Sequence, residues 1–164
     1  MAGRNIITID DGTKEITIEN SYGVVLAHFF VRPSDLTILE RFDALKEGLL
    51  EVIKPLAEIS IRNDGDAATP KDVELLATAR KSIIDQLNRF FDTDGFSDVF
   101  AARSPFASVG GMFFVEVVLN GLTGEMTRLV NEERELSKKR MEKYLDDIKE
   151  TETGADVNAA GPTA

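Results

Sequence analysis

Cysteine and tryptophan are absent from this chain of 164 residues, and histidine occurs only once. Without cysteine there is no disulfide framework, no thiolate nucleophile and no cysteine-ligated zinc or iron–sulfur site. The one histidine, His28, lies in an apolar run, which argues against a catalytic triad or a histidine-rich metal site. We therefore interpret His28 as a partly buried structural residue, and we expect no catalytic residues, no metal site and no cofactor.

Long hydrophobic runs are also missing. No stretch approaches the roughly 18 uninterrupted apolar residues of a membrane span, and the N-terminus lacks the apolar segment of a secretory signal. Basic residues are in the minority, because 19 Lys and Arg stand against 29 Asp and Glu, for a net charge of −10. Nucleic acids and anionic membranes are bound mainly through Lys and Arg. We therefore expect neither as a partner, and we expect a cytoplasmic protein.

Residues 5–31 contain many β-branched side chains and predict a small β part. Residues 5–9 and 14–18 flank an Asp–Gly pair at positions 11 and 12, a dipeptide that favours a tight hairpin turn. Residues 24–31 predict a third strand, although an apolar run of this length is also compatible with a buried helix. We expect a β-hairpin or a three-stranded sheet in this part of the chain.

The first of three or four helices predicted over residues 34–150 begins at Ser34 and Asp35, whose side chains suit a helix N-terminus. Pro55 should kink this helix or end it, because proline lacks the amide hydrogen that a helix interior requires. A polar stretch at residues 63–68 predicts an exposed loop after the helix.

The second helix has the clearest boundaries in the sequence. Thr69 supplies a capping hydroxyl and Pro70 is well suited to the first helical position, while residues 92–95 should stop the helix. A short helical turn is predicted at residues 96–100, and an apolar helix from about Ser108.

The last helix becomes highly charged after Glu125, which predicts a part that projects into solvent or docks elsewhere. Residues 151–164 are small and polar without periodicity, so we expect a disordered tail. Together these patterns predict one α+β, mainly α domain over residues 1–150, followed by that tail.

Two stretches carry weak signals for a ligand site. Asp92, Asp94 and Asp98 suggest a calcium loop, but its glycine comes fourth rather than sixth, and Arg103 stands where a bidentate Glu is required. Residues 108–111 contain two glycines that could cradle an anion, but they lack the Lys and Ser/Thr of a P-loop. A helix stop and a close-packed helix entry are the favoured interpretations.

Apolar side chains around the start of the last helix indicate a possible surface for protein binding. Phe and Met on an adaptable helical surface suit protein recognition. Ordinary packing within one domain explains the same residues equally well, so both interpretations stay open. The candidate protein-binding residues are Phe106, Phe113, Phe114, Met126, Leu129, Val130 and Leu136.

Three segments follow one another in a characteristic order after the N-terminal β part. They are a helix ending in two phenylalanines at residues 83–91, a turn that begins with glycine and ends with an aromatic residue at 95–100, and an apolar helix at 110–122. This order resembles the tail assembly chaperone family of long-tailed bacteriophages (siphophages) and related prophages. The resemblance extends over most of the chain, from residue 6 to residue 130.

The resemblance implies a small helical protein that works in the host cytoplasm and is absent from the mature virion. It implies binding to the tape measure protein, which such chaperones keep soluble, and recruitment of the major tail protein that forms the tail tube. It also leaves room for a homo-oligomer. The alternative hypothesis is a structural minor tail or head–tail component that oligomerises through its long C-terminal helix.

Overall fold

The computed structural model describes the backbone of residues 3–62 and 69–159, and the side chains of residues 3–57 and 69–151. These residues form a two-stranded hairpin, four helices and a second, very short hairpin. The elements are β1 (Lys14–Glu19), β2 (Val25–Val31), α1 (Ile38–Arg62), α2 (Pro70–Phe91), α3 (Gly95–Ala102), β3 (Ser108–Val109), β4 (Met112–Phe113) and α4 (Phe114–Ala159). The predicted α+β, mainly α class with an N-terminal hairpin is confirmed.

The N-terminal hairpin uses the second and third predicted strands. Strands β1 and β2 run antiparallel, with Ile16 opposite Phe29. The turn between them is closed by the Asn20 side chain, which accepts hydrogen bonds from the backbone amides of Tyr22 (2.9 Å) and Val24 (3.1 Å). An asparagine that bonds its own backbone in this way is a common means of closing a turn.

The strand predicted at residues 5–9 is wrong, because this segment pairs with no other strand. The Asp10 and Asp11 carboxylates accept bonds from the amides of Gly12 (2.9 Å) and Thr13 (3.0 Å), each two residues further along the chain. These local bonds fold residues 10–13 into short turns. The tight hairpin turn predicted from the Asp–Gly pair does not form. The isoleucines before them remain largely exposed.

The inner face of the hairpin carries one side of the core. Alternation along β2 turns Ala27, Phe29 and Val31 inward, where they are buried. The same alternation places His28 on the outer face, with 63% of its side chain exposed and its Nδ1 3.5 Å from the Glu15 carboxylate. The expected partly buried histidine is therefore wrong, since residues on the two faces of a strand differ in burial even within a continuous apolar run.

Helix α1 departs from its predicted limits at both ends. It begins at Ile38 rather than at the Ser34–Asp35 pair, and the Asp35 carboxylate accepts bonds from both the backbone amide and the hydroxyl of Thr37. Pro55 lies inside the helix, which continues to Arg62. The prediction that proline would end the helix is wrong, because Ile53 and Leu56 on either side are buried and this packing offsets the lost hydrogen bond. The predicted loop at 63–68 lies outside the described residues.

Helix α2 confirms both of its predicted boundaries. Thr69 and Asp72 form a capping box, in which each side chain accepts a bond from the other residue's amide. At the other end Asp92 adopts the left-handed conformation, with φ of 51°. Its backbone amide donates a hydrogen bond to the Asn88 carbonyl and so caps the helix. The Asn88 side chain also accepts a bond from the amide of Phe96, the second residue of α3. The acidic stretch after α2 is thus a helix stop, as the favoured interpretation predicted.

The helix predicted from Ser108 begins six residues later. Residues 108–113 form the β3–β4 hairpin, whose turn residues Gly110 and Gly111 have positive φ angles of 59° and 85°. Such angles are inaccessible to a helix and inexpensive only for glycine. The Glu116 carboxylate accepts a bond from the Phe113 amide (2.9 Å), which caps α4 at its first turn.

Helix α4 packs on the domain only along its first part. Its buried residues lie between Val115 and Val130, whereas every side chain over residues 134–151 is exposed. The helix continues to Ala159, nine residues into the segment 151–164 for which disorder is predicted. After the start of α4 the next proline, which would interrupt the helical hydrogen bonds, is Pro162. Residues 160–164 lie outside the described residues.

Gly95 marks a close approach between the hairpin and the helices. A Cβ atom at this position would lie 2.9 Å from the Cβ of Ala27 and 3.2 Å from the Thr93 hydroxyl. We expect Gly95→Ala to lower the free energy of unfolding by about 1–3 kcal/mol through overpacking, as measured by urea denaturation. The matched control is Gly48→Ala in α1, where the added Cβ meets no atom within 4 Å and should stabilise the helix by up to about 1 kcal/mol. Equal stability of Gly95→Ala and wild type would contradict the proposed close contact.

Candidate functional site

The three predicted phenylalanines lie together around the β3–β4 hairpin. The rings of Phe106 and Phe113 meet edge to face, with centroids 6.0 Å apart, and Phe114 meets Phe100 in the same way at 5.9 Å. All three predicted residues are half-buried and pack against the core. Most of their surface therefore holds the hairpin and the start of α4 in place, and the rest remains accessible.

The predicted apolar stripe on α4 is divided by the fold. Met126, Leu129 and Val130 are only 1%, 8% and 1% exposed, and they belong to the main core. The expectation that they form a binding surface is therefore wrong for the folded domain. Leu136, six residues further on, is 62% exposed. Sequence spacing predicted which side of α4 is apolar, and the rise in charge predicted a change after Glu125, whereas the packed part of the helix extends to Val130.

A groove of about 630 Å³ runs between β1 and the first turns of α4. Its apolar lining includes Ile18 and Leu26 of the hairpin and Phe114, Val117, Val118 and Leu122 of α4. Phe114 is thus the one predicted binding residue that lines this groove. Among the large apolar α4 residues in the groove Val117 is the most exposed, at 37%.

Strand β1 presents its edge to the groove. Consecutive residues from Glu15 to Ser21 line the groove, whereas residues on one face of a strand would alternate. Among the described residues β1 pairs with β2 alone, so its second edge is not covered by a strand. Such an edge offers backbone N–H and C=O groups to an added strand. The sequence could not identify this edge, because a strand at residues 5–9 was expected to cover it.

The charged residues around the groove are mainly acidic. Glu15, Glu19 and Glu125 line it together with a single basic residue, Arg103. A hydrogen bond from Arg128 lowers the pKa of Glu125, so this carboxylate stays ionised at neutral pH. The groove therefore combines an apolar floor with a negative rim, which suits an apolar segment flanked by basic side chains.

A second cleft, of about 600 Å³, lies between β2, the start of α1 and the end of α2. Its charged residues include Asp35 and Arg41, which form an ion pair with each other. Hydrogen bonds from Thr37, reinforced by Arg41, lower the pKa of Asp35. Since these groups satisfy one another just before α1, their arrangement holds the turn that leads into the helix.

The described part of the chain contains no group of three or more His, Cys, Asp or Glu side chains placed to hold a metal ion. Within the described helices, none is both long and apolar enough to cross a membrane. No protein-family model, no curated protein and no solved structure matches this chain. The groove is the candidate functional site because it joins an open strand edge to accessible apolar surface.

The division of the α4 stripe can be tested by stability. Met126→Ala should lower the free energy of unfolding by about 2–5 kcal/mol, because it leaves a cavity in the core. Leu136→Ala, in the exposed part of the same helix, should change it by no more than about 0.5 kcal/mol. Chemical denaturation of both variants measures the difference. Equal costs at the two positions would show that Leu136 is also packed in the folded protein.

Proposed function

We propose that this chain is a phage tail assembly chaperone that binds the tape measure protein, keeps it soluble and recruits the major tail protein during tail assembly. The observation that supports this role best is the groove between β1 and α4. A chaperone of this kind must hold apolar segments of an unassembled client, and the groove offers an apolar floor beside an open strand edge. The family resemblance of residues 6–130 points to the same role.

The groove suits a client segment for two physical reasons. Burial of apolar client side chains against Phe114, Val117 and Leu26 is favourable by about 25 cal/mol per Å² of surface removed from water. Pairing with the β1 edge adds main-chain hydrogen bonds that do not depend on the client's side chains. Together they allow binding of segments that share apolar character without sharing one sequence.

The strong negative charge suits the same role. A net charge of −10 disfavours non-specific association and precipitation, which favours the solubility of a client-bound assembly. The acidic rim of the groove, with Glu15, Glu19 and Glu125, favours clients that carry basic residues beside their apolar segments. This role requires binding alone, with no reaction and no cofactor.

The alternative role is a structural minor tail or head–tail component. The observation that favours it is the exposed part of α4, which carries apolar side chains at residues 136–148 outside the domain. Such a helix could join copies within a particle. The two roles differ in a simple way, because a structural component is present in purified virions and an assembly chaperone is absent from them.

Co-expression with the tape measure protein from the same genome tests the proposed role. We expect the tape measure protein to become soluble and to co-purify with this chain. Val117→Asp should abolish both effects, because it places a charge on the apolar floor of the groove, while circular dichroism shows an intact fold. The matched control is Val73→Asp on α2, where the valine is 56% exposed and lies away from the groove.

Two outcomes would contradict the proposal. If the tape measure protein stays insoluble and this chain is found in mature particles, the structural role takes its place. If Val73→Asp and Val117→Asp impair co-purification equally, the client is not held in the groove.

A further inference from the structure

The exposed part of α4 carries a compact apolar stripe. Met141, Tyr144, Leu145 and Ile148 follow one another at spacings of three, one and three residues, which places them on one side of the helix. They are 61%, 62%, 54% and 43% exposed. Four large apolar side chains in adjacent helical turns far exceed the isolated exposed residue that is normal on a soluble domain.

This stripe continues the side of α4 that faces the core. Met141 follows the buried Val130 by 11 residues, which is close to three helical turns. Ile148 follows the buried Met126 by 22 residues, close to six turns. The helix therefore presents one apolar side throughout, and the domain covers only its first part.

The charges of the same segment have a clear polarity. Residues 134–143 contain five basic and two acidic side chains, whereas residues 144–151 contain one basic and three acidic side chains. The division between the two blocks falls at the centre of the stripe, next to Tyr144. A second copy of the segment that runs in the opposite direction therefore places acidic residues beside basic ones.

We propose that the exposed parts of α4 from two copies of this chain pair antiparallel, stripe against stripe, and form a homodimer. In this arrangement the basic block of each helix lies beside the acidic block of the other. A parallel pair would instead place basic beside basic and acidic beside acidic, which is unfavourable. A twofold axis perpendicular to the helices makes every favourable contact occur twice.

Arg140 and Asp147 specify the antiparallel pair further. They lie seven residues apart, on the edge of the stripe that is next to Tyr144. In an antiparallel pair related by a twofold axis, each edge of one stripe faces the same edge of the other. With Met141 opposite Ile148 of the second copy, Arg140 of each chain comes within reach of Asp147 of the other, which forms two reciprocal ion pairs.

Sedimentation equilibrium over a range of chain concentrations tests the dimer. We expect Asp147→Arg or Arg140→Asp alone to raise the dimer dissociation constant at least tenfold, because each opposes like charges at two symmetric positions. The double variant Arg140→Asp with Asp147→Arg should restore the wild-type constant, since the pairs are re-formed with exchanged signs. The matched control is Asp146→Arg, which makes the same charge change on the opposite side of the helix and should leave association within a factor of about three.

Cross-linking tests the direction of the pair. The chain has no cysteine of its own, so single cysteines can be introduced without background. Ser137 and Thr151 flank the stripe at its two ends, and an antiparallel pair brings position 137 of one copy close to position 151 of the other. We expect a mixture of Ser137→Cys and size-tagged Thr151→Cys chains to form the mixed disulfide in preference to either homodimeric disulfide.

Three results would overturn this inference. Wild-type chain that remains monomeric at every concentration would show that the stripe has another occupant, such as a client helix. A preference for disulfides between two copies of Ser137→Cys would show a parallel pair. If the double charge variant dimerises no more tightly than the single variants, the proposed reciprocal ion pairs do not form. None of these results bears on binding in the β1–α4 groove, so the dimer and the proposed function stand or fall separately.

Discussion

The close contact between Gly95 and Ala27 is the constraint on which the rest of the structure depends. It lets the start of α3 lie directly against the centre of β2, because no side chain separates them. The Phe29 ring then reaches the rings of Phe91 and Phe96, with centroid distances of 4.5 and 5.2 Å. A two-stranded hairpin is marginal by itself, so this aromatic contact is what gives the hairpin its stability within the domain.

The groove is a consequence of the same arrangement. The hairpin uses its inner face and β2 to cover the aromatic core, and β1 is left with one edge towards α4. Helix α4 is positioned there by the β3–β4 hairpin, which the Phe106–Phe113 contact holds against the core. An open strand edge and an apolar helix surface therefore face each other as a result of packing that serves the core.

Helix α4 combines two functions in one continuous element. Up to Val130 its apolar side is part of the core, and beyond that point the same side is exposed. The charges of the exposed part match those of a second copy that runs in the opposite direction. The two proposed contacts, a client in the groove and a second copy on the stripe, use separate stretches of the helix. A dimer of this kind would place two grooves on one assembly and so increase the effective affinity for a long client.

Local chemistry in the sequence was sufficient for several elements. The limits of α2 followed from Thr69, Pro70 and the acidic stretch after Phe91, since capping bonds join residues close in the chain. Equally local reasoning predicted that Pro55 would kink α1 or end it, and the expectation that the helix would end there was wrong. Burial of Ile53 and Leu56 against the rest of the domain outweighed the local penalty, and such burial is invisible in the sequence.

The sequence by itself determined the α+β class, the caps of α2, the apolar side of α4 and the excess of negative charge. Only the tertiary structure decided which of the three predicted strands pair, that Met126, Leu129 and Val130 are core rather than surface, and that Phe114 lines a groove with β1. The physical reason is the distance along the chain over which each effect acts. Periodicity and capping report on neighbours within one or two helical turns, whereas the burial of a side chain or a strand edge depends on residues far away in the chain.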